Sequence, residues 1–448
     1  MNTPTTAPPT AAPPTAAPPA VASTARLIGD PTVRGLAALL SVNAVGNGLF
    51  LTISTLWFTQ ALGYSASRVG PALTVAGLCG ILASLPAGRA CDRWNAKSVL
   101  TVLHLLQGAA IALYAVAGSF PVFLALACLA TAGSRANATA RGTLYAHALH
   151  PGLRTRALAL LRAVNNVGIG AGAALGSVVL TFDSDAAYRG AICVSAAAFL
   201  LALIPLRRIS TAARPPAAQA GAARAAALSG PRASHLLRDL PYLAVTALNA
   251  VVNTLYVVLE VGLPLWLLTY TNAPHLMVGW LLVTNTALVV ALQVRAARGI
   301  TGPARAARAF RRGGLLVAAA CLAAACAAHR SAAIAAAVLL AAVVLLTLGE
   351  VASQAGSWTL SYDLAPDHAH GTYQGIYQTG ISVSQALGPA LLTTFVLPHG
   401  TAGWAALAAL FAGAALALPA AARRAARGTE RRRTNSRRRP EDSAAARY

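Results

Sequence analysis

Residues 42–50 read VNAVGNGLF, and residues 248–256 read LNAVVNTLY. Each stretch holds two asparagines four apart, with Ala-Val after the first, inside an otherwise apolar segment. The second stretch follows the first by 206 positions. A further echo lies downstream of each. GIGAGAALGSVVLT (168–181) matches GISVSQALGPALLT (380–393) at an offset of 212, sharing Gly-Ile, Ala-Leu-Gly and the closing Leu-Thr. Two echoes at nearly one offset indicate a duplicated unit.

The surroundings of these echoes set the fold class. Of 448 residues, 56% are hydrophobic and only 10% charged, against about 45–50% apolar in an average soluble domain. A soluble chain of this length could not hide so much apolar surface, so the class is integral membrane protein. A hydrocarbon core about 30 Å thick needs roughly 20 mostly apolar residues per helix. Such spans fall at 36–60, 68–88, 98–118, 121–141, 157–181 and 187–206, then at 241–269, 277–294, 312–328, 332–357, 374–397 and 402–422. The reading is an all-α protein of twelve transmembrane helices, as two pseudo-symmetric six-helix bundles. The asparagine echo lies in spans one and seven and the glycine echo in spans five and eleven, so both copies run in the same sense across the bilayer. This is the parallel repeat of a transporter built from two bundles.

Charge placement gives orientation. The net charge of +23 would suit nucleic acid, but the arginines cluster in short connections and a tail, so no nucleic-acid partner is expected. One set of alternate connections holds Arg89, Arg93 and Lys97; Arg141, Arg154 and Arg156; a basic linker (207–240); and Arg295, Arg298, Arg305, Arg308, Arg311 and Arg312. The opposite set holds only Arg68, Arg189 and Arg330. Positive residues stay inside, so both termini are expected in the cytoplasm and the protein in the cell membrane. The connection 363–371, with Asp363 and Asp367 and no basic residue, is the one dissenter. Residues 1–30 repeat PPTAAPPTAAPP and read as a disordered cytoplasmic arm. Residues 31–206 and 241–422 form the bundles, and 423–448 is an Arg-rich cytoplasmic tail. The six cysteines (Cys79, Cys91, Cys128, Cys193, Cys321 and Cys326) lack CxxC spacing and read as small buried hydrophobes. His104, His368 and His370 lack a second ligand set, so no metal is expected.

The connection between spans two and three, GRACDRWNAK (88–97), carries the most specific resemblance. A Gly, an Asp-Arg pair four residues later and a closing basic residue resemble the signature of the major facilitator superfamily; Gly88, Asp92, Arg93 and Lys97 match it, with Asn95 where a Gly is usual. Arginine outnumbers lysine 34 to 1, a bias that fits GC-rich coding and an actinobacterial source. The resemblance implies a conformational latch at Gly88, Asp92, Arg93 and Lys97. Gly88 would let two helices approach closely, Asp92 would accept from helix N-terminal amides or an arginine, and Arg93 and Lys97 would pair across the bundle. Family antiporters carry a Gly-rich stripe in span five. Here Gly168, Gly172 and Gly176 supply it, with Ala173 where a Pro would sit.

The resemblance also implies that spans one, four, seven and ten line a central cavity. The residues agree in kind. Of twelve acids, only Glu260 and Glu350 lie within spans, in seven and ten, and a buried acid is costly, about 2.5–3.5 kcal/mol on insertion scales. Asn249, Asn253, Tyr256 and Glu260 step by four, three and four along one helical face, followed by Pro264. Span ten has Glu350, Gln354, Ser357 and Ser361 on one face, with Trp358 beside it. Span four has Thr131, Arg135 and Thr139, and span one Asn43 and Asn47. Through the repeat, Arg135 falls opposite Glu350 as a charge partner, and Glu260 or Glu350 is the proton-coupling carboxylate. The substrate cavity is expected from Asn43, Asn47, Asn249, Asn253, Tyr256, Gln354 and Trp358. Arg162, early in span five, reads as a snorkelling or loop-pairing residue.

These readings imply proton-coupled efflux of a small, partly apolar drug or secondary metabolite by a functional monomer that uses the proton gradient and no cofactor. Uptake of a nutrient is the alternative within transport, and a non-transporting receptor or scaffold the alternative outside it. An enzyme is not expected, since no nucleophile–base pair, metal set or phosphate loop is present.

Overall fold

A computed structural model describes residues 24–57, 66–182, 184–209, 239–366 and 369–445. Most of the expected arm (1–23), most of the linker (210–238), His368 and the last three residues of the tail lie outside the described residues.

Twelve helical rods follow the expected spans. In the first half they are α1 (Pro31–Leu56), α2 (Ala66–Trp94), α3 (Ala96–Tyr114), α4 (Phe120–Ala148), α5 (Pro151–Phe182) and α6 (Asp185–Leu201), the last extended by Leu203–Arg208. In the second they are α7 (Leu240–Asn253, continued to Tyr270), α8 (Met277–Ala296), α9 (Gly302–Ala325), α10 (Ala332–Asp363), α11 (His370–Ala390) and α12 (Gly400–Ala445). Among the described residues, nine are long and apolar enough to cross a membrane. The other three pay in composition for their place. α4 carries Arg135, Asn137 and Arg141, α9 begins with four arginines, and α11 presents Gln374, Gln378 and Gln385. Leu78, Leu82 and Val102 are more than half exposed on the outside of the bundle, as a lipid-facing surface requires.

Several local boundaries differ from the sequence reading. The expected disordered arm ends early: Thr24–Gly29 is a short helix with Leu27 buried, and Asp30 caps α1 by accepting from Thr32 N (2.8 Å) and Val33 N (3.3 Å), with Pro31 at the first helical position. The tail does not leave the membrane as a separate segment but prolongs α12 to Ala445. The signature is not a loop. Its first seven residues are the last turns of α2, and Asn95 alone breaks the helix at φ 93°. Asparagine tolerates positive φ better than most residues, and its side chain accepts from Lys97 N (3.0 Å) to start α3. The cysteines are also less uniform than expected, since only Cys91 and Cys321 are buried while Cys193 and Cys326 are exposed.

The duplication reappears as packing. α1 packs on α5 and α6, α2 on α4, and α3 on α4 and α6; in the second half α7 packs on α11 and α12, α8 on α10, and α9 on α10 and α12. Contacts between halves obey the same two-fold: α2 meets α11 as α8 meets α5, and α4 meets α11 as α10 meets α5.

Small residues set the distances. Gly168 faces Ala44, where an added Cβ would stand 2.7 Å from the alanine methyl, and Gly176 faces Thr52 at the same distance. Between them, a Cβ on Gly172 would collide with the Val45 carbonyl oxygen. In the second half Gly380 meets Thr246 and Gly388 meets Val257. Gly172→Leu should therefore lower the thermal unfolding midpoint sharply, because the clash is with backbone and overpacking costs at least about 1–3 kcal/mol. Gly170→Ala, on the open side of the same helix with nothing within 4 Å, should leave the midpoint equal or higher. Equal loss in both variants would remove the packing argument.

Candidate transport cavity

α7 shows how the local sequence builds the site. Pro264 has no N–H to donate to the carbonyl of Glu260, four residues earlier. The helix responds with a wide π turn over Val258–Gly262, so Glu260 sits on the irregular stretch. Such turns re-aim side chains within an otherwise regular helix. Glu260 is exposed to a cavity of about 370 Å³ between the halves.

Six helices line this cavity. α7 contributes Asn253, Tyr256 and Glu260; α10 contributes Gln354, Trp358, Ser361 and Tyr362. α4 presents Arg141 and Tyr145, α5 presents Arg162 and Asn165, and α11 presents Gln374, Tyr377, Gln378 and Gln385. α1 adds only Leu40.

Of the expected cavity residues, Asn253, Tyr256, Gln354 and Trp358 line it, and Asn249 stands directly behind. Asn249 Oδ1 accepts from Ser357 Oγ (2.6 Å), Asn253 Nδ2 donates to Asn249 O (3.0 Å), and Gln354 Nε2 donates to Asn253 Oδ1 (3.3 Å). The α1 asparagines do not face the cavity. Asn43 turns to α3, 3.3 Å from His104 Nε2. Because His104 Nδ1 lies 2.9 Å from Leu100 O, an acceptor only, Nδ1 carries the proton and Nε2 accepts from Asn43. Nearby, Asn137 donates to Gln107, continuing a polar layer inside the first half. Asn47 is half-buried and does not line the cavity.

The expected Arg135–Glu350 pair is absent. Arg135 packs against Gly80 of α2, within the first half. Glu350, 2% exposed, instead accepts from Arg162 Nη2 (2.8 Å) at Oε1 and from Asn285 Nδ2 (3.0 Å) at Oε2. Arg162 also donates to Tyr256 OH (2.5 Å), and its guanidinium carbon lies 5.0 Å from the Tyr256 ring centroid and 6.0 Å from that of Trp358. Arg162 is thus neither snorkelling nor pairing in a loop. It bridges the two halves in the cavity wall, held by a carboxylate, a phenol and two aromatic faces. A spacing signal existed for one missed wall: Gln374, Tyr377, Gln378, Ile381 and Gln385 form one helical face of α11.

Below the cavity the halves are joined at the end that carries the basic connections. Asp92 Oδ1 accepts from Gly371 N (2.7 Å), and Oδ2 accepts from Thr372 N (2.7 Å) and Thr372 Oγ1 (2.5 Å), at the start of α11. Gly88 makes this contact reachable, because any Cβ there would collide with the Gly371 carbonyl. Of the two binding modes expected for Asp92, the structure has the helix N-terminus. Among the described residues, Arg93 and Lys97 do not pair across the bundle. Arg93 covers its neighbour Trp94 at 5.3 Å, and Lys97 Nζ donates to Arg207 O (2.9 Å) and Ile209 O (2.8 Å), closing the C-terminal end of the extension to α6. Thr155 and Thr359 (2.7 Å), the Arg154 cation over the Tyr362 ring (4.9 Å) and the His147–His370 edge contact (5.9 Å) add to the same seam. At the opposite end, Trp57 donates to Tyr114 O (3.2 Å) and Trp266 to Ala324 O (2.8 Å), each within its own half.

Residues 36–389 match the family model of the Major Facilitator Superfamily. Over 334 residues the chain is 26% identical to the multidrug resistance protein MdtH of Yersinia enterocolitica and 24% identical to that of Shigella boydii, covering 74% of this chain and 78% of each relative. Among solved structures, the proton:xylose symporter XylE superimposes with a TM-score of 0.66 at 15% identity, over 88% of this chain and 96% of that one. The human organic anion transporter MFSD10 gives 0.64 at 17%, over 87% and 99%. An outward-facing bacterial homologue of the iron transporter ferroportin gives 0.65 at 13%, over 88% and 99%. These structural likenesses speak for the fold, and the family model, spanning most of a duplicated twelve-helix chain, speaks for descent: the chain belongs to the Major Facilitator Superfamily.

Proposed function

We propose that this transporter exports a small, partly apolar compound, a drug or secondary metabolite, in exchange for protons. The observation that carries the reading is the contrast between its two intramembrane acids. Glu350 is already paired with Arg162, whereas Glu260 faces the cavity with no hydrogen bond or ion pair among the described residues. A cavity carboxylate without a fixed cation can load a proton or a substrate group in turn as access alternates. Tyr145, Tyr256, Trp358 and Tyr377 offer flat apolar surface beside the amides, which suits a mixed-polarity ligand. The multidrug-resistance relatives favour the same compound class.

The basic connections put the joined seam in the cytoplasm by the positive-inside rule. Both termini then lie in the cytoplasm of a cell-membrane protein, and the cavity faces outward. Arg162 takes the role first assigned to Arg135, pairing with Glu350 across the two halves while the seam is closed. Each half finds its partner within one chain, so the monomer is the working unit, with the proton gradient in place of a cofactor.

Efflux of a compound panel from a drug-sensitive host, with and without a proton gradient, tests this. Glu260→Gln should abolish gradient-driven efflux, at least tenfold, while leaving the unfolding midpoint within a few degrees. Full gradient-dependent efflux in that variant would defeat the proposal. The wall of Asn165, Asn253, Gln354, Gln374, Gln378 and Gln385 favours a second reading, uptake of a neutral hydroxylated nutrient; gradient-driven accumulation instead of efflux would select it.

A further inference from the structure

The turn between α8 and α9 is the duplicate of the turn that carries Asp92, and its chemistry is inverted. No acid occurs from Val294 to Arg312, where the sequence has six arginines. Four of them, Arg298, Arg305, Arg308 and Arg312, line one cavity of about 570 Å³ between the end of α8, the first turns of α9 and Ala352 of α10. Arg305, Arg308 and Arg312 step by three and four, so they share a face of α9, and Arg298 approaches from the turn. Gly299 and Gly302, at φ 76° and 75°, bend the chain so that the turn and the helix face the same space. Arg305 Nη1 is steadied by Thr301 Oγ1 (2.9 Å) and the Gly299 carbonyl (3.4 Å).

None of these arginines is in an ion pair among the described residues. A preference for positive charge inside accounts for arginines in this turn. It does not account for four of them converging on one cavity, where they repel one another with no counter-charge among the described residues. A bound anion would relieve that repulsion, and guanidinium forks are shaped for the oxygens of phosphate. The cavity also lies at the ends of membrane-spanning helices, at the depth of lipid headgroups, where basic pockets between helices hold anionic lipids.

We propose that this cavity is a binding site for a phosphate-bearing anion, gripped by Arg298, Arg305, Arg308 and Arg312. The phosphodiester of an anionic phospholipid is the source favoured by its depth. The bound group would supply at the second-half seam the negative charge that Asp92 supplies at the first.

The test uses the purified full chain. Retention of phosphatidylglycerol over phosphatidylcholine is read by native mass spectrometry, and thermal unfolding is followed with each lipid and with inorganic phosphate alone. One retained phosphatidylglycerol, stabilising the protein where phosphatidylcholine does not, is expected. Arg305→Gln/Arg308→Gln/Arg312→Gln should weaken retention at least tenfold. Arg423→Gln/Arg424→Gln/Arg427→Gln on α12, with the same loss of charge, should change it less than twofold. If the first triple variant does not fold, Arg308→Lys keeps the charge but loses the fork, and weaker retention there supports the site equally. Stabilisation by inorganic phosphate with the same arginine dependence would keep the site and make its source a soluble phosphate. No preference for phosphatidylglycerol and no effect of phosphate, or equal losses in the two triple variants, would overturn the proposal.

Discussion

Arg162→Gln should abolish transport and destabilise the protein, and the second effect should be reversed by a further change. The substitution leaves Glu350, 2% exposed, with one amide donor and no cation. Removing one partner of a buried pair typically costs about 3–5 kcal/mol, whereas removing both is close to neutral. The unfolding midpoint of Arg162→Gln should therefore fall by many degrees, and Arg162→Gln/Glu350→Gln should recover at least half of the loss without recovering transport. Arg135→Gln should retain transport, because Arg135 meets neither Glu350 nor the cavity. Transport at the wild-type rate in a folded Arg162→Gln variant would refute a role for the bridge.

Asp92→Asn should open the closed seam. The carboxylate accepts three hydrogen bonds at the start of α11, and a neutral amide can satisfy only part of that set while turning an NH₂ group toward a donor. Bonds to a charged group contribute about 1.5–3 kcal/mol each. A net loss of about 3 kcal/mol from the closed state alone would change its ratio to the open state by roughly 100-fold. Spin labels on the ends of α2 and α11 should report a longer, broader separation in Asp92→Asn, and transport should fall at least tenfold. Thr372→Val removes one bond and should give a smaller shift in the same direction. An unchanged distance distribution in Asp92→Asn would remove the latch.

What the chain disclosed in advance follows from how local each signal is. The repeat, the twelve apolar spans and the signature are readable within windows of 10 to 25 residues, and the packing of α1 on α5 and α7 on α11 is written in the glycine echo. The pairing of Arg162 with Glu350 joins positions 188 apart across the two halves, so no periodicity could announce it. Alignment through the repeat pointed to Arg135 because it assumed that equivalent positions face each other. The paired asparagines show why that assumption fails. Asn43 finds His104 on α3, while α9, which occupies the place of α3 in the second half, carries no histidine. Asn249 therefore turns to Ser357 on α10. Matching asparagines acquired different neighbours, and so different faces became functional.

The glycine seam between α1 and α5 has a mechanical consequence. α5 runs 32 residues without a break, about 48 Å, and touches α1 backbone to backbone at Gly172, about two-thirds of the way along. A rod held at one point along its length is a lever. A tilt of about ten degrees would move the longer, lower arm's end by roughly 5 Å and the shorter, upper arm's end by roughly 3 Å, in opposite directions, at about 1.5 Å per residue. Its lower end would leave α8 and α10 as its upper end approached the second half, so one motion both unlocks one mouth and shuts the other. The fulcrum requires only that no side chain come between the two backbones.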